Sequence, residues 1–344
     1  MTRENEILQY LHYHPGSSRS EIETGMNLTE SPATVKRMLA LLVEAGSAIV
    51  SGQGRATRYS VSPQAHVTMP LDIDTYFQKE TDERTVQTTF NFGLINDILP
   101  KVDLFTAEEK ERLDALQAQF TRNLEGISPN VYRKEMERLG IDLSWKSSQI
   151  EGNTYSLLET EKLLKEKLTA SGKTKDEAVM LLNHKDALDY VLADPDYLKE
   201  ISVWRIEELH ALLTKELNVD KGIRKRRVGI TGTNYCPLDN EYQIREALED
   251  TCQLINGKEN VFEKALLALV LLSYIQAFSD GNKRTARITS NAILIANKYC
   301  PISFRTVDSA DYKKAMLIFY EQNNISAFKK IFIDQFAFAV QTYF

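Results

Sequence analysis

The stretch that decides the fold runs from residue 276 to residue 287 and reads Gln276-Ala277-Phe278-Ser279-Asp280-Gly281-Asn282-Lys283-Arg284-Thr285-Ala286-Arg287. It lies between an apolar run, residues 265–275, and a second segment with helical spacing, residues 288–298. The pattern therefore predicts a tight loop that ends one buried helix and begins the next.

The residue types in this loop are suited to binding an anion. Gly281 adopts backbone conformations that other residues avoid, and it lets a ligand approach the main chain. The N–H groups of residues 282–284 would lie at a helix N-terminus, where unpaired donors and the helix dipole favour a phosphate. Arg284 and Arg287 are three residues apart and share one helix face, which suits a polyphosphate. Asp280 is placed to hold Mg²⁺ against such phosphates.

The same stretch resembles the signature loop of the Fic family, His-x-Phe-x-(Asp or Glu)-Gly-Asn-(Gly or Lys)-Arg-x-x-Arg. In that family the loop binds ATP and Mg²⁺, and AMP is usually transferred to a protein hydroxyl. Every defining position matches except the first, where Gln276 replaces the histidine that takes the proton from the target hydroxyl. A carboxamide accepts no proton near neutral pH, and loss of a positioned base costs about 10²- to 10⁴-fold in rate.

The resemblance also implies a role for each residue of the loop. Asn282 and Arg284 would orient the α- and β-phosphates, and Arg287 would hold the γ-phosphate. Asp280 would hold the metal ion. The nucleotide-binding positions implied in this way are Gly281, Asn282, Lys283, Arg284 and Arg287.

A second informative stretch is Ser147-Ser148-Gln149-Ile150-Glu151-Gly152-Asn153, which closes a predicted helix over residues 132–149. It resembles the family's inhibitory motif, a Ser or Thr followed four residues later by Glu and then Gly or Asn. The matching residues are Ser147, Glu151 and Gly152. The resemblance implies that Glu151 pairs with Arg287 and so competes with the γ-phosphate. The alternative interpretation is an ordinary helix cap with a solvated Glu151.

Residues 228–238 are predicted to form a short β-hairpin in an otherwise helical domain. The residues that suggest its first strand and turn are Val228, Gly229, Ile230, Thr231 and Gly232. In the Fic family a hairpin at this place, the flap, pairs with the backbone of the target protein. The basic run at residues 224–227 would attract an acidic target or reach phosphates; the alternative is a solvated face.

Residues 1–62 are predicted to form a separate unit of three helices, residues 4–12, 20–26 and 31–46, and a hairpin of strands 48–50 and 57–61. This order resembles a winged helix-turn-helix. In that family Lys36 and Arg37 on the third helix would face a DNA major groove, and Arg55 and Arg58 on the wing would contact phosphates. The unit has six basic and six acidic residues, so it binds DNA weakly unless the bases share one face. Self-association into a homodimer or intramolecular regulation is the alternative.

The rest of the chain places fewer constraints on function. Residues 63–99 are predicted to be a linker and adaptor segment, extended from residue 62 to 73. The 344 residues carry a net charge of −6, which argues against a protein coated in nucleic acid. Three cysteines without paired spacing, a charged N-terminus and an apolar run too short to cross a bilayer predict a cytoplasmic protein that does not enter a membrane.

The sequence thus predicts a mainly α protein: a winged helix-turn-helix at residues 1–62 and an all-helical Fic-like domain with a β-hairpin flap at residues 100–344. The predicted function is transfer of AMP from ATP and Mg²⁺ to a Ser, Thr or Tyr hydroxyl of a target protein, impaired at Gln276 and autoinhibited by Glu151. One alternative is a catalytically inactive, ATP-binding regulator that binds DNA. Another is an interaction scaffold with neither activity.

Overall fold

The fold, taken from a computed structural model, is described for residues 2–344 and is mainly helical, as the sequence predicts. Its first part contains α1 Arg3–Tyr13, α2 Arg19–Gly25, α3 Pro32–Glu44, β1 Ala48–Ser51, β2 Arg58–Val61, α4 Pro63–Thr68 and α5 Ile73–Tyr76. The remainder contains α6 Ala107–Glu125, α7 Pro129–Ile150, α8 Leu157–Glu166, α9 Lys175–Ala193, α10 Val203–Leu213, α11 Glu241–Gly257, α12 Val261–Ile275, α13 Asn282–Ala296, α14 Ser309–Gln322 and α15 Ser326–Tyr343. Single 3-10 or π turns lie at Gly54–Ala56, Thr81–Glu83, Leu94–Ile98 and Leu99–Lys101.

The N-terminal unit, α1–α3 with β1 and β2, has an apolar core of its own. Buried side chains from all three helices form it, among them Ile7, Leu11, Ile22, Val35 and Leu39. β1 pairs antiparallel with β2, with Ala48 opposite Val61. Ser31 caps α3 and Pro32 follows in its first turn, the combination that the sequence indicates. The three helices and two strands are therefore where they were predicted, whereas the assignment of the unit as a winged helix-turn-helix stays a prediction.

The larger core is built around α12, which is apolar on every side. All residues from Ala265 to Ile275 are buried, as expected for a helix with no polar face. α12 packs most extensively against α13 and α11, so the loop that joins α12 to α13 emerges from the centre of the domain. Among the described residues, no helix is both long enough and apolar enough to span a membrane.

The prediction of an extended linker after the N-terminal unit is wrong. Residues 63–68 form α4, in which Ser62 is the N-cap and a proline occupies the first turn. Val67 is buried, and its carbonyl accepts a hydrogen bond from Ile325 N at 2.7 Å. Pro63 therefore marks the start of a helix that packs on the larger core.

The predicted β-hairpin of the flap is also wrong. Residues 228–238 form no strand pair with one another. Their one bridge is parallel and joins Cys236 to Thr89, with Cys236 N donating to Thr88 O at 2.9 Å. The alternating pattern is thus that of an irregular segment that pairs with a distant part of the chain, and we keep the name flap for residues 228–238.

Two histidines meet where the N-terminal unit contacts the larger domain. The ring of His12, on α1, stacks on that of His66, on α4, with centroids 5.0 Å apart. His66 Nε2 donates to Gln322 O, at the end of α14, at 2.7 Å. Burial and the neighbouring His66 lower the pKa of His12 to about 4, and burial lowers the pKa of His66. Both rings are therefore neutral near pH 7.

We expect the free energy of unfolding to decrease as the pH falls from about 6.5 to about 4. In this window His12 of the unfolded chain binds a proton and folded His12 does not, so stability increases with pH. The variant His12→Gln should show a weaker pH dependence in urea unfolding measured at several pH values. The control is His14→Gln, at the exposed residue that directly follows α1. If the free energy of unfolding changes with pH equally in His12→Gln and in the unchanged chain, the assignment of this pH dependence to His12 is contradicted.

Candidate active site

The loop between α12 and α13 presents three unpaired N–H donors. Its last residue before α13 is Gly281, with φ +81°, where an added Cβ would lie 3.2 Å from Thr214 Cγ2. Gly281 has no side chain to cap the helix. The first bonded amide is that of Thr285, which donates to Gly281 O at 2.9 Å, and the N–H groups of residues 282–284 have no acceptor within residues 2–344. Such donors at a helix N-terminus form an anion site.

These donors adjoin a cavity of about 450 Å³. Its walls come from the loop, the end of α7, the flap and α14: Gln276, Ser279, Asp280, Gly281, Asn282, Lys283, Ile150, Glu151, Gly152, Val228, Gly229, Ile230, Thr231, Tyr312, Lys313, Met316, Leu317 and Tyr320. A second cavity, of about 540 Å³, is lined by residues of α5, α14 and α15 and contains none of the predicted site residues. The chemistry of the loop therefore singles out the first cavity.

Both arginines of the loop lie behind the cavity wall. The side chain of Arg284 is 1% exposed; its Nη2 donates to Asp280 Oδ2 at 3.0 Å and its Nη1 to Leu213 O at 3.4 Å. Burial lowers the pKa of Arg284. His184 is also fully buried, and burial together with the charges of Arg284 and Arg287 holds its pKa well below the ordinary value. Neutral His184 thus adds no third positive charge to this cluster.

Arg287 is fully buried and is bonded to the predicted inhibitory motif. Its Nε donates to Ser147 Oγ at 2.8 Å, and its Nη2 donates to Ser147 O at 2.9 Å and to Glu151 Oε1 at 2.8 Å. Lys283 Nζ lies 3.1 Å from the other carboxylate oxygen of Glu151. Gly152, with φ +98°, ends α7 directly after Glu151. The structure therefore brings Ser147, Glu151 and Arg287 together, and Glu151 is not a solvated cap.

The carboxylate of Glu151 is ionised over the whole ordinary pH range. Burial acts to raise its pKa, but the charges of Arg287 and Lys283 and their hydrogen bonds outweigh burial and lower the pKa to about 2. Tyr312 completes the surroundings of Arg287, with its ring centre 5.2 Å from the guanidinium carbon. The sequence carries no signal for this contact, because Tyr312 and Arg287 meet only in the folded chain.

Gln276 uses its carboxamide within the protein. It has φ +52°, a left-handed conformation that is uncommon outside glycine. Its Nε2 donates to Ser273 O at 2.6 Å, and its Oε1 accepts from Asn282 Nδ2 at 3.2 Å. Asn282 also bonds both main-chain groups of Phe278, at 2.8 Å each. The side chains of Gln276 and Asn282 therefore brace the loop, and only the main-chain N–H of Asn282 remains available to a ligand.

No histidine lines the cavity in the described part of the chain. His210 is the nearest in the fold: its ring stacks on Phe278 with centroids 3.8 Å apart, and its Nε2 donates to Asp280 O at 2.9 Å. Burial lowers the pKa of His210 to about 4. His210 therefore supports the loop from behind and does not replace the missing base.

Asp280 is the one predicted metal ligand. Residues 2–344 contain no cluster of three or more His, Cys, Asp or Glu side chains that could hold a metal ion. The side chain of Asp280 is 66% exposed and lines the cavity. Mg²⁺ is commonly held by one or two carboxylates together with substrate phosphates and water, so a single carboxylate at this position fits an ion that arrives with a nucleotide.

The flap faces the cavity with free backbone groups. Residues 228–231 line the cavity, and their N–H and C=O groups have no hydrogen-bond partner among the residues that the structure describes. Gly232 lies outside the lining, and its carbonyl accepts from Arg84. Of the basic run ahead of the flap, Arg224 is buried and its Nε donates to Gln276 O at 2.6 Å, whereas residues 225–227 are exposed. Arg224 thus supports the loop. The sequence did not predict this role, because Arg224 stands in a run of basic residues whose other members are exposed.

The predicted DNA-binding residues lie in the N-terminal unit and not at the cavity. Lys36 and Arg37 are exposed on α3, and Arg55 is exposed between β1 and β2. Arg58 is half-buried and its Nη1 donates to Thr57 O at 3.1 Å. Three of the four side chains are therefore free to reach another molecule.

Comparison with known proteins supports the loop assignment. Residues 200–294 match the model of the Fic/DOC family. The chain is 27% identical over 218 residues to the protein adenylyltransferase Fic of Nematostella vectensis, covering 62% of this chain and 51% of that protein. It is 28% identical over 170 residues to the protein adenylyltransferase fic-1 of Caenorhabditis elegans, covering 47% and 33%. The chain thus spans only a third to a half of these curated relatives.

The fold is that of solved Fic-domain structures. The structure of C. elegans Fic-1 aligns with a TM-score of 0.61 at 22% identity, covering 69% of this chain and 72% of that chain. A Fic domain containing signaling protein from Bacteroides thetaiotaomicron aligns with a TM-score of 0.58 at 18% identity, covering 67% and 95%. Residues 200–294 therefore contain a Fic/DOC family domain within a mainly helical fold of the same kind.

The ion pair between Glu151 and Arg287 should contribute measurably to stability. We expect Glu151→Gln to lower the free energy of unfolding by about 2 kcal/mol at neutral pH, because it removes the carboxylate from a fully buried guanidinium. Urea unfolding measures the change. The control is Glu135→Gln on the same helix, which breaks the exposed pair with Arg138 and should cost less than about 1 kcal/mol; equal losses in the two variants would contradict the expectation.

Proposed function

We propose that the chain is a Fic-type protein adenylyltransferase, which transfers AMP from ATP to a hydroxyl of a protein target. The observation that carries the proposal is the start of α13, where three unpaired N–H groups adjoin a cavity of about 450 Å³ and two buried arginines lie behind its wall. The Fic/DOC match over residues 200–294 and the adenylyltransferase names of the curated relatives support the same activity.

In the proposed complex the ATP phosphates lie against the N–H groups of residues 282–284. Arg284 orients the α- and β-phosphates from behind the loop, and Arg287 holds the γ-phosphate. Asp280 holds Mg²⁺. The ion would neutralise charge that develops on the phosphates during transfer.

The target protein would approach across the flap. The free backbone groups of residues 228–231 can pair with an extended segment of the target, in the manner of an added strand. Such pairing fixes where the next side chain lies, and here it would bring a Ser, Thr or Tyr hydroxyl toward the α-phosphate. The oxygen of that hydroxyl attacks the α-phosphorus, the bond between the α-phosphorus and the oxygen that bridges it to the β-phosphate breaks, and pyrophosphate leaves. The hydroxyl proton passes to water, because Gln276 accepts none.

Two features of the chain oppose this reaction. Glu151 accepts a hydrogen bond from Nη2 of Arg287, so a γ-phosphate that binds at Nη2 competes with Glu151 for that donor. Gln276 has no capacity to take a proton, and its amide is already bonded to Ser273 and Asn282. We propose that the resting chain is autoinhibited by Glu151 and that, once released, it turns over about 10²- to 10⁴-fold more slowly than a chain with a base at this position.

The test is transfer of labelled AMP from α-labelled ATP to proteins of a cell lysate. Glu151→Gly alone should label target proteins weakly or not at all. Glu151→Gly combined with Gln276→His should label them about 10²- to 10⁴-fold faster, because the histidine places a base in a loop that Glu151 no longer contacts. Gln276→Asn in the Glu151→Gly background is the matched control, since it changes the residue without adding a base.

If the double variant labels no protein although it binds ATP, the transferase proposal is wrong. Equal labelling by the histidine and asparagine variants would leave the proposed transferase in place but would contradict the assignment of position 276 as the base.

A second candidate function is a catalytically inactive, ATP-binding regulator that binds DNA. Gln276 favours it, because the loop keeps its anion-binding donors and lacks a base. The N-terminal unit adds exposed Lys36, Arg37 and Arg55 for phosphate contacts. In this scheme ATP competes with Glu151, and the change at Arg287 is transmitted to the unit that binds DNA.

The regulator hypothesis predicts that ATP changes DNA affinity while no AMP is transferred. Fluorescence anisotropy with a labelled random-sequence duplex at low salt measures this affinity with and without ATP and Mg²⁺. The charge-reversal pair Lys36→Glu, Arg37→Glu should weaken binding at least about tenfold. Equal affinity of this variant and the unchanged chain would remove the proposed DNA surface.

A further inference from the structure

The second arm of the flap, residues 232–236, is held by a segment far earlier in the chain. Besides the bond from Tyr235 Oη to Tyr274 O at 3.0 Å, which joins this arm to α12, four hydrogen bonds join it to the earlier segment. They run from Arg84 Nη2 to Gly232 O at 2.6 Å, from Asn234 Nδ2 to Asp82 Oδ1 at 3.0 Å and to Thr81 O at 3.5 Å, and from Cys236 N to Thr88 O at 2.9 Å. The partners in the earlier segment lie within residues 81–88, ahead of the helices that form the cavity. This segment therefore fixes the flap from outside the active site.

Of the residues that make these contacts, Arg84 has its side chain confined on several sides. Its side chain is 3% exposed and lies 3.4 Å from the fully buried carboxylate of Glu321. Its guanidinium carbon lies 5.1 Å from the ring centre of Phe77 and 5.8 Å from that of Tyr76. Tyr76 Oη in turn donates to Glu321. A buried cation confined in this way holds the carbonyl of Gly232 in one place, since a charge-assisted bond is stronger than a neutral one.

The two arms of the flap consequently differ in their freedom. The first arm, residues 228–231, lines the cavity, and its backbone groups have no hydrogen-bond partner among the described residues. The second arm is bonded to residues 81–88 and begins at Gly232, whose φ is +88°. When an extended target pairs with the first arm, that arm loses less conformational entropy if it is already held at its far end.

We infer that Arg84 is a positioning residue for the protein target, which acts by holding the flap at Gly232. The inference rests on the proposed function, because the flap positions a target only if the chain is a transferase. Arg84 contacts neither the cavity nor the loop at residues 276–287. Its effect should therefore fall on the affinity for the protein target and not on the affinity for ATP.

The test must separate the flap contact from the buried ion pair. Arg84→Met alone would leave Glu321 buried without its cation and could unfold the chain. The informative comparison is Glu321→Gln against Arg84→Met, Glu321→Gln, because both lack the ion pair and only the second lacks the bond to Gly232. Glu321→Gln leaves Arg84 without its anion but keeps an amide oxygen that can accept from it, so circular dichroism first checks that this variant and the double variant are folded. Arg305→Met, which removes a distant pair with Asp142, is the control for loss of an arginine.

The first measurement is hydrogen exchange of the full chain, followed on peptides that cover residues 232–236. The double variant should exchange these amides about tenfold faster than Glu321→Gln, including the Cys236 amide bonded to Thr88. Arg305→Met should leave their exchange unchanged. Equal exchange in Glu321→Gln and the double variant would overturn the inference, whatever the activity of the chain.

The second measurement uses AMP transfer in the Glu151→Gly, Gln276→His background. The lysate concentration that gives half-maximal labelling should rise about tenfold when Arg84→Met is added to Glu321→Gln, while the half-saturating ATP concentration stays the same. An unchanged lysate requirement, or an equal rise for ATP, would overturn the positioning role. If the background variant labels nothing, the proposed function fails and the target-positioning role fails with it, whereas the exchange result still decides whether Arg84 holds the flap.

Discussion

The buried charge of Arg287 is the constraint on which the site depends. A guanidinium with no exposure to water must have acceptors, because an unpaired buried charge is costly. Here Ser147 and Glu151 supply them, from the end of a helix that is 140 residues earlier in the chain. Glu151 accepts from Nη2 and Ser147 accepts from Nε and Nη2, whereas Nη1 has no hydrogen-bond partner among the described residues. The contacts with α7 therefore satisfy most of this buried guanidinium and leave one of its nitrogen atoms unpaired.

The position of the loop follows from the burial of α12. Because α12 is apolar on all sides, it lies at the centre of the domain, and the chain must leave the core abruptly at its end. Gln276 makes that exit in a left-handed conformation, held by Arg224 at its carbonyl and by Asn282 at its side chain. Strained residues of this kind persist where the surroundings over-determine them. The main chain and the side chain at position 276 are therefore both held by neighbouring residues.

The sequence predicted those parts of the site that depend on adjacent residues, and it missed most of those that depend on contacts between distant residues. The loop, the helix start at Gly281 and the end of α7 were predictable because a few adjacent residues determine each of them. The Glu151–Arg287 pair required the family resemblance, since no spacing rule connects residues 136 positions apart. Arg84 and Tyr312 could not be found in this way, because their contacts with Gly232 and Arg287 exist only in the folded chain. The flap was mispredicted as a hairpin because its backbone partners are the distant residues 88–89. The linker was mispredicted because a proline suits both an extended segment and a first helical turn.

One end of α14 joins the three parts of the molecule that regulation would have to couple. Tyr320 lines the cavity and lies 3.4 Å from the amide nitrogen of Gln276, and the next residue, Glu321, holds Arg84 and through it the flap. Gln322 accepts a hydrogen bond from His66, at the contact with the N-terminal unit. A displacement of the N-terminal unit would therefore act on three consecutive residues that reach the loop, the flap and α4. These contacts are hydrogen bonds and a buried ion pair made by three consecutive residues, so the loop, the flap and α4 are joined at one end of α14.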